Sequence, residues 1–347
     1  MTTPGPRPHR TPRSNRARAA ALTAGAVAAA IGLAGCGSAE ALVGLRAAPT
    51  EKTATAPLDT DGATAIATRL LAQADAPVEG EAAAKQAALE KVFTGDALAL
   101  ALEEAAAPAP KAPEAAALAT TPAPTLVAQS QGRDWPRAIL AATLDADTNT
   151  QYLHVLLSEK PDQPFRIAAS VPMFPGAQLP AIGSEAAGAP LLDAKAAAGL
   201  PTSPEKAVGA YAAALAYPKP KDTTAVGVTD PFAEGLGRAA AAQAKTLGKL
   251  ATLTQSHEPR MDDALTFRLA DGGAVTFALM KRTDTIAVKP TAKALVLPKE
   301  YADLVKSKTV TKQLVLNNLE AVVVVVPKSG AAEVIGASEL LVSGRAR

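Results

Sequence analysis

The chain has 347 residues, enough for about two domains at the usual size of roughly 100–200 residues. Its apolar share of 48% is mostly Ala, Leu and Val, with 3% aromatic residues, which supplies ordinary cores but little material for an aromatic stacking platform. The net charge is +2 and five of the arginines fall within the first 18 residues, so the remainder is mildly acidic and nucleic-acid binding has no electrostatic support.

The N-terminus reads as an export signal. Arg7, Arg10, Arg13, Arg16 and Arg18 occur without an acidic residue, and Ala19 to Leu33 carries no charge, the pattern of a charged region followed by a short apolar one. That apolar run is shorter than the about 20 residues a membrane-spanning helix needs. It closes on Leu33-Ala34-Gly35-Cys36, which holds the single cysteine of the chain. These four residues resemble the lipobox of bacterial lipoproteins. The resemblance implies cleavage between Gly35 and Cys36, lipidation of Cys36, and a place at the extracytoplasmic face of the cell membrane. Two acyl chains would hold stably, since each buried methylene contributes about 0.8 kcal/mol and a single chain binds only marginally. The alternative is an ordinary signal cut nearby, with Cys36 lost or free. No adjacent arginine pair is present, which favours export in the unfolded state. With its one cysteine assigned to lipid, the exported part folds without disulfides.

Residues 1–35 are therefore expected as signal peptide and 36–58 as a flexible tether that, as a random coil, spans roughly 25–30 Å. Asp59 or Asp61 caps a first helix carrying Ile66, Leu70 and Leu71 on one face. A second runs from about Glu81 through Leu89, Val92 and Phe93, and a third carries Leu98 and Leu102. The Ala/Pro-rich stretch 105–124 reads as a loop. Strand-like segments at 125–129, 137–144, 151–158 and 165–171 have the spacing of an antiparallel meander.

A small-residue stretch at 177–201 places a boundary between a first domain, 59–190, and a second, 191–347. Ser203-Pro204-Glu205 opens a helix with Val208, Tyr211 and Leu215 on its buried face, and Asp230-Pro231-Phe232 opens another. Strands follow at 249–256, 264–269 and 274–282, the last two joined by Asp271-Gly272, favoured two-residue hairpin chemistry. The run Ala321 to Val326 reads as a central strand and 332–341 as its neighbour. Both halves run helices and then antiparallel strands, which predicts an α+β fold of two tandem domains with helices packed on curved antiparallel sheets; that order resembles nuclear-transport-factor-like or cystatin-like domains. Val334-Ile335-Gly336-Ala337, Trp135-Pro136-Arg137 and Phe174-Pro175-Gly176 resemble a family of actinobacterial lipoproteins whose domain has no assigned function. The resemblance implies location and architecture and brings no catalytic residue.

The chemistry-bearing spacings each have a plainer reading. Ser203-x-x-Lys206 matches the nucleophile spacing of penicillin-binding proteins, but the accompanying Ser-Asp-Asn and Lys-Thr-Gly are missing, and a helix cap accounts for Ser203. His257-Glu258 begins like a zinc-protease helix, yet Met261 stands where the second histidine belongs and Pro259 interrupts. Without the leader only His154 and His257 remain; His257 is expected as a solvated ring at a strand end and His154 as a packed or half-exposed one. Asp145-x-Asp147-x-Asn149 imitates a calcium loop but lacks its glycine and glutamate. Glu103-Glu104 and Asp262-Asp263 are adjacent acids whose side chains point apart. No catalytic residue, metal ligand or cofactor is expected.

The leading functional expectation is a membrane-anchored, non-enzymatic lipoprotein that binds or scaffolds an envelope protein, lipid or glycan through its concave sheet faces or an interdomain groove. One alternative is an envelope hydrolase using His154 or His257 with an Asp or Glu. Another is a solute-binding lipoprotein, disfavoured because its two lobes would alternate strands and helices.

Overall fold

The computed structural model describes residues 55–106, 123–184, 186–220 and 228–347. Three helices come first, α1 (Thr60–Ala74), α2 (Ala82–Val92) and α3 (Gly95–Ala106). They are followed by β1 (Thr125–Gln129), β2 (Arg137–Asp145), β3 (Thr150–Ser158) and β4 (Arg166–Pro172), an antiparallel sheet in the order β1-β2-β3-β4. The short β5 (Leu191–Leu192) precedes α4 (Pro204–Ala214) and α5 (Pro231–Leu247). Then come β6 (Ala251–Arg268), β7 (Ala274–Val288), β8 (Leu295–Val296), α6 (Lys299–Val305), β9 (Thr309–Val310), β10 (Gln313–Val326) and β11 (Glu333–Ala346). The second sheet has the order β11-β10-β7-β6-β5, and β8 pairs with β9 alone.

Helix starts follow the capping residues in the sequence. Asp59 Oδ1 accepts from the Gly62 amide at 2.6 Å, and Asp230 Oδ1 from the Ala233 amide at 2.9 Å. Ser203 Oγ accepts from the Lys206 amide at 3.3 Å, so this serine satisfies one of the helix's otherwise unpaired donors. In α5 the cap is reinforced by Pro231 in the first turn and by Glu234 against the helix dipole.

Alternation along the strands gives each sheet two buried faces. Leu140, Leu153, Val155 and Val171 of the first sheet form one apolar cluster with Phe267, Phe277, Leu279 and Val323 of the second. The sheets thus pack face to face. On the far side of the first sheet, Ile139, Ala141, Leu156 and Ile167 are covered by Ala63, Ala67, Leu70 and Leu71 of α1 and Ala97 of α3. On the far side of the second sheet, Ala278, Met280, Val322 and Val324 meet Val208, Tyr211 and Leu236 from α4 and α5. The result is an α+β fold in four layers, helices, sheet, sheet, helices. The inner faces anticipated as ligand surfaces are occupied by one another. The boundary expected at 190/191 falls where the chain passes from one sheet to the other, and the described residues from Thr55 onward belong to one compact unit.

Contact between the sheets continues into backbone bonding. Phe174 N donates to Ile335 O at 2.9 Å, and Met173 bridges Gly336. The segments Phe174-Pro175-Gly176 and Val334-Ile335-Gly336-Ala337, far apart in sequence, therefore touch where β4 ends against β11. Trp135-Pro136-Arg137 forms its own contact, with the Arg137 guanidinium 3.7 Å from the Trp135 ring centroid.

Candidate functional site

The helix-covered face of the second sheet carries a polar band between two apolar clusters. At one end lie Ala278, Met280, Val322 and Val324; at the other Leu253, Ile286, Leu314 and Leu316 pack with Ala240, Leu295 and Val310. Between them the period-two alternation that buries those residues also buries His257, Arg282, Asp284, Asn318 and Glu320. The antiparallel register sets His257 opposite Arg282, and Arg282 opposite Asn318. Glu320 stands opposite both Met280 and Glu339.

Arg282 is the centre of this band. Its Nη1 donates to Glu320 Oε1 at 3.0 Å and to Glu339 Oε2, and its Nε to Asp284 Oδ2 at 3.2 Å. Burial pushes the guanidinium pKa down, but Asp284, Glu320 and Glu339 outweigh that and hold it above its ordinary value. For Asp284 burial dominates and raises the carboxyl, against the lowering effect of Arg282 and of the hydrogen bond from Gln255. Asn318 Nδ2 also donates to Asp284, at 3.3 Å. The remaining oxygen of the wholly buried Glu320 accepts from His257 Nδ1 at 2.8 Å. A carboxylate can only accept, so Nδ1 carries that proton and Nε2, which has no partner among the described residues, is left as the acceptor nitrogen if the ring is neutral. Removing such charges from water costs several kcal/mol each, which is tolerable only with the hydrogen bonds seen here.

Above one edge of this band is a cavity of about 550 Å³, bounded by Leu215, Tyr217, Val228, Ala233, Gly237 and Ala241, with Lys219, Glu234 and Arg238 also lining it. Gln255 of β6 forms part of its floor and so joins the cavity to the polar band. The volume falls in the range of about 300–1,000 Å³ common to small-molecule sites.

His257 was expected to be solvated; its side chain is instead fully enclosed and hydrogen-bonded to Glu320. The reason is long-range. β6 continues through 257–260, where the sequence has no apolar alternation, because pairing with β7 holds it there; 261–264 have no partner on β7, and pairing resumes at Leu265.

His154 is packed, as expected. Thr143 Oγ1 lies 2.8 Å from its Nε2 and Ser170 Oγ 3.0 Å from its Nδ1, and burial lowers its pKa to about 4. A hydroxyl, not a carboxylate, stands behind the ring on either side, so the orienting acid of a serine-nucleophile triad is missing from this cluster. The Asp145-Asp147-Asn149 segment is a hairpin turn, with Asp145 Oδ1 accepting from the amides of Asp147 at 2.9 Å and Thr148 at 3.3 Å. Among the described residues no group of three or more His, Cys, Asp or Glu could hold a metal ion.

An acidic pair that sequence spacing did not reveal joins α3 to β6. Asp263 packs against Gly95, and Asp96 is raised to about 6 by burial, then by Asp263, with Arg260 opposing and Asp262 adding to the rise. Arg260 Nη2 is 3.9 Å from Asp96 Oδ1. Glu103 and Glu104 take no part in these clusters.

The expected cleavage and lipidation residues, Gly35 and Cys36, lie outside the described residues, as do residues 37–54 of the tether and 107–122 of the Ala/Pro-rich stretch. Among the described residues no helix is long and apolar enough to cross a membrane. No curated protein and no solved structure matches the chain. Residues 82–345, which take in α2 through nearly all of β11 and with them both sheets, the polar band and the cavity, match the family described as Domain of unknown function (DUF8094), and the chain belongs to that family.

Proposed function

We propose that the chain is an extracytoplasmic lipoprotein, anchored to the cell membrane through Cys36, that acts by binding a ligand between α4 and α5. The observation that carries the binding reading is the cavity of about 550 Å³ set over a buried polar band. Support for the anchor is the Leu33-Ala34-Gly35-Cys36 sequence behind its arginine-rich leader. In this reading the chain is not an enzyme: His257 is paired to Glu320 but walled in, and His154 is held between two hydroxyls. Envelope proteins and glycans remain partners for the outer surface, and nucleic acid is not one.

The anchor is tested by replacing Cys36 with Ala and fractionating the producing cells. Loss of the lipid should move the chain from the membrane fraction to the medium or the soluble envelope fraction. Retention in the membrane fraction would sink the proposal of a lipid anchor.

A further inference from the structure

We infer that the cavity between α4 and α5 takes a small, neutral, largely apolar molecule bearing one N–H or O–H donor, which it seats toward Gln255; this rests on the binding function proposed above. Space comes from the helix surface itself. Ala233, Gly237 and Ala241 recur every four residues and so share one face of α5, and a Cβ built on Gly237 meets nothing within 4 Å. Leu215, Tyr217 and Val228 supply apolar wall opposite, so most of a guest would leave water for hydrocarbon.

Polarity at the floor selects the donor. Gln255 is 6% exposed. Its side-chain amide acts on Asp284, favouring the ionised carboxyl, which a carboxylate-facing Nε2 end accounts for, since an ionised carboxylate only accepts. Oε1 is left buried with no hydrogen-bond partner among the described residues. An orphan amide oxygen pays its desolvation without return, and a guest that donates to it recovers part of that cost. Charge at the cavity is mixed: Arg282 faces Asp284, Glu320 and Glu339 behind Gln255, while Lys219, Glu234 and Arg238 line the cavity itself, so an anion gains no clear field to offset the hydration it would lose against the apolar walls. A full cation would lose its hydration there in the same way.

The probe is 1-aminoanthracene, a flat apolar ring with one neutral amine, followed by its emission on titrating the purified full-length chain. Competitors are 1-methylanthracene, which keeps the shape without the donor, and anthracene-1-carboxylate, which brings an anion. We expect saturable 1:1 binding, roughly tenfold weaker competition by the methyl compound, and no competition by the carboxylate. Gly237→Leu should abolish binding while leaving the thermal midpoint unlowered, because it fills open space and improves helix propensity. Gln255→Met should bring the amine and methyl compounds to equal affinity. Equal affinities in the unaltered chain, with binding lost in Gly237→Leu, would overturn the donor selection and leave the cavity as the binding site. Binding that survives Gly237→Leu, or no saturable binding of any of the three, would overturn the cavity reading itself.

Discussion

Asp96 illustrates how one buried acid can make this fold sensitive to pH. Its carboxyl is raised to about 6 by burial and by Asp263, with Arg260 only partly compensating. The folded state therefore prefers the proton more than the unfolded chain does. Stability conferred by the neutral acid is complete below about pH 4 and falls as pH rises toward 6; above that, the folded state carries a cost of roughly 2–3 kcal/mol. Asp96→Asn, which keeps size and polarity, should leave stability near pH 4 almost unchanged and raise it at pH 8 by about 1–3 kcal/mol. Urea titrations at the two pH values measure this, and an equal shift at both would refute the assignment. None of this was visible in spacing. Asp262-Asp263 reads as two adjacent acids with no partner, but Asp263 meets Asp96 of α3, over 160 positions away. The same blindness hid the polar band: His257, Arg282, Glu320 and Glu339 come from four strands, and only register brings them together.

Elements with a local physical signature were legible to within a residue or two. The four strands of the meander and the caps at Asp59 (of the two acids offered), Ser203 and Asp230 occur where the chain proposes them, and Asp271-Gly272 does lie in the turn, although the connection from Arg268 to Ala274 is longer than a two-residue hairpin. Elements defined by their neighbours were not. Sequence divides β6 into two strands because 257–263 is charged and interrupted by Pro259, whereas pairing with β7 carries the strand through Arg260 and resumes at Leu265; proline and charges there also suit a sheet edge. The tips of β10 and β11 run well beyond their apolar segments for the same reason. Gly336 marks a further long-range constraint. A Cβ there would lie 2.5 Å from the Pro172 carbonyl oxygen, so β11 can approach the end of β4 only with no side chain at this point. Gly336→Ala should force the two strands apart and cost about 1–3 kcal/mol, read as a lower urea midpoint. An unchanged midpoint would mean that the junction between Phe174 and Ile335 yields without loss.

Across the whole molecule, the shared interior between the sheets determines how the halves depend on each other. Phe277 and Leu279 of β7 lie in one cluster with Leu140 of β2, Leu153 and Val155 of β3 and Val171 of β4. Either sheet alone would expose a broad apolar face, a poor state for an independently stable domain. Residues 59–190 and 191–347 should therefore unfold together, as one cooperative transition. The single tryptophan makes this measurable. Trp135 stands just before β2, stacked against Arg137, so its fluorescence reports on the first sheet, while far-ultraviolet dichroism reports on all helices and strands. Phe277→Ala removes a ring that is 2% exposed from the second sheet's side of the interior and should destabilise the fold by about 3–5 kcal/mol. If the sheets unfold as one, Trp135 fluorescence and dichroism shift to lower urea by the same amount, although the altered residue lies more than 130 positions away. If Trp135 keeps its midpoint while dichroism splits into two steps, each half carries its own stability and the packed sheets act as an interface between two domains.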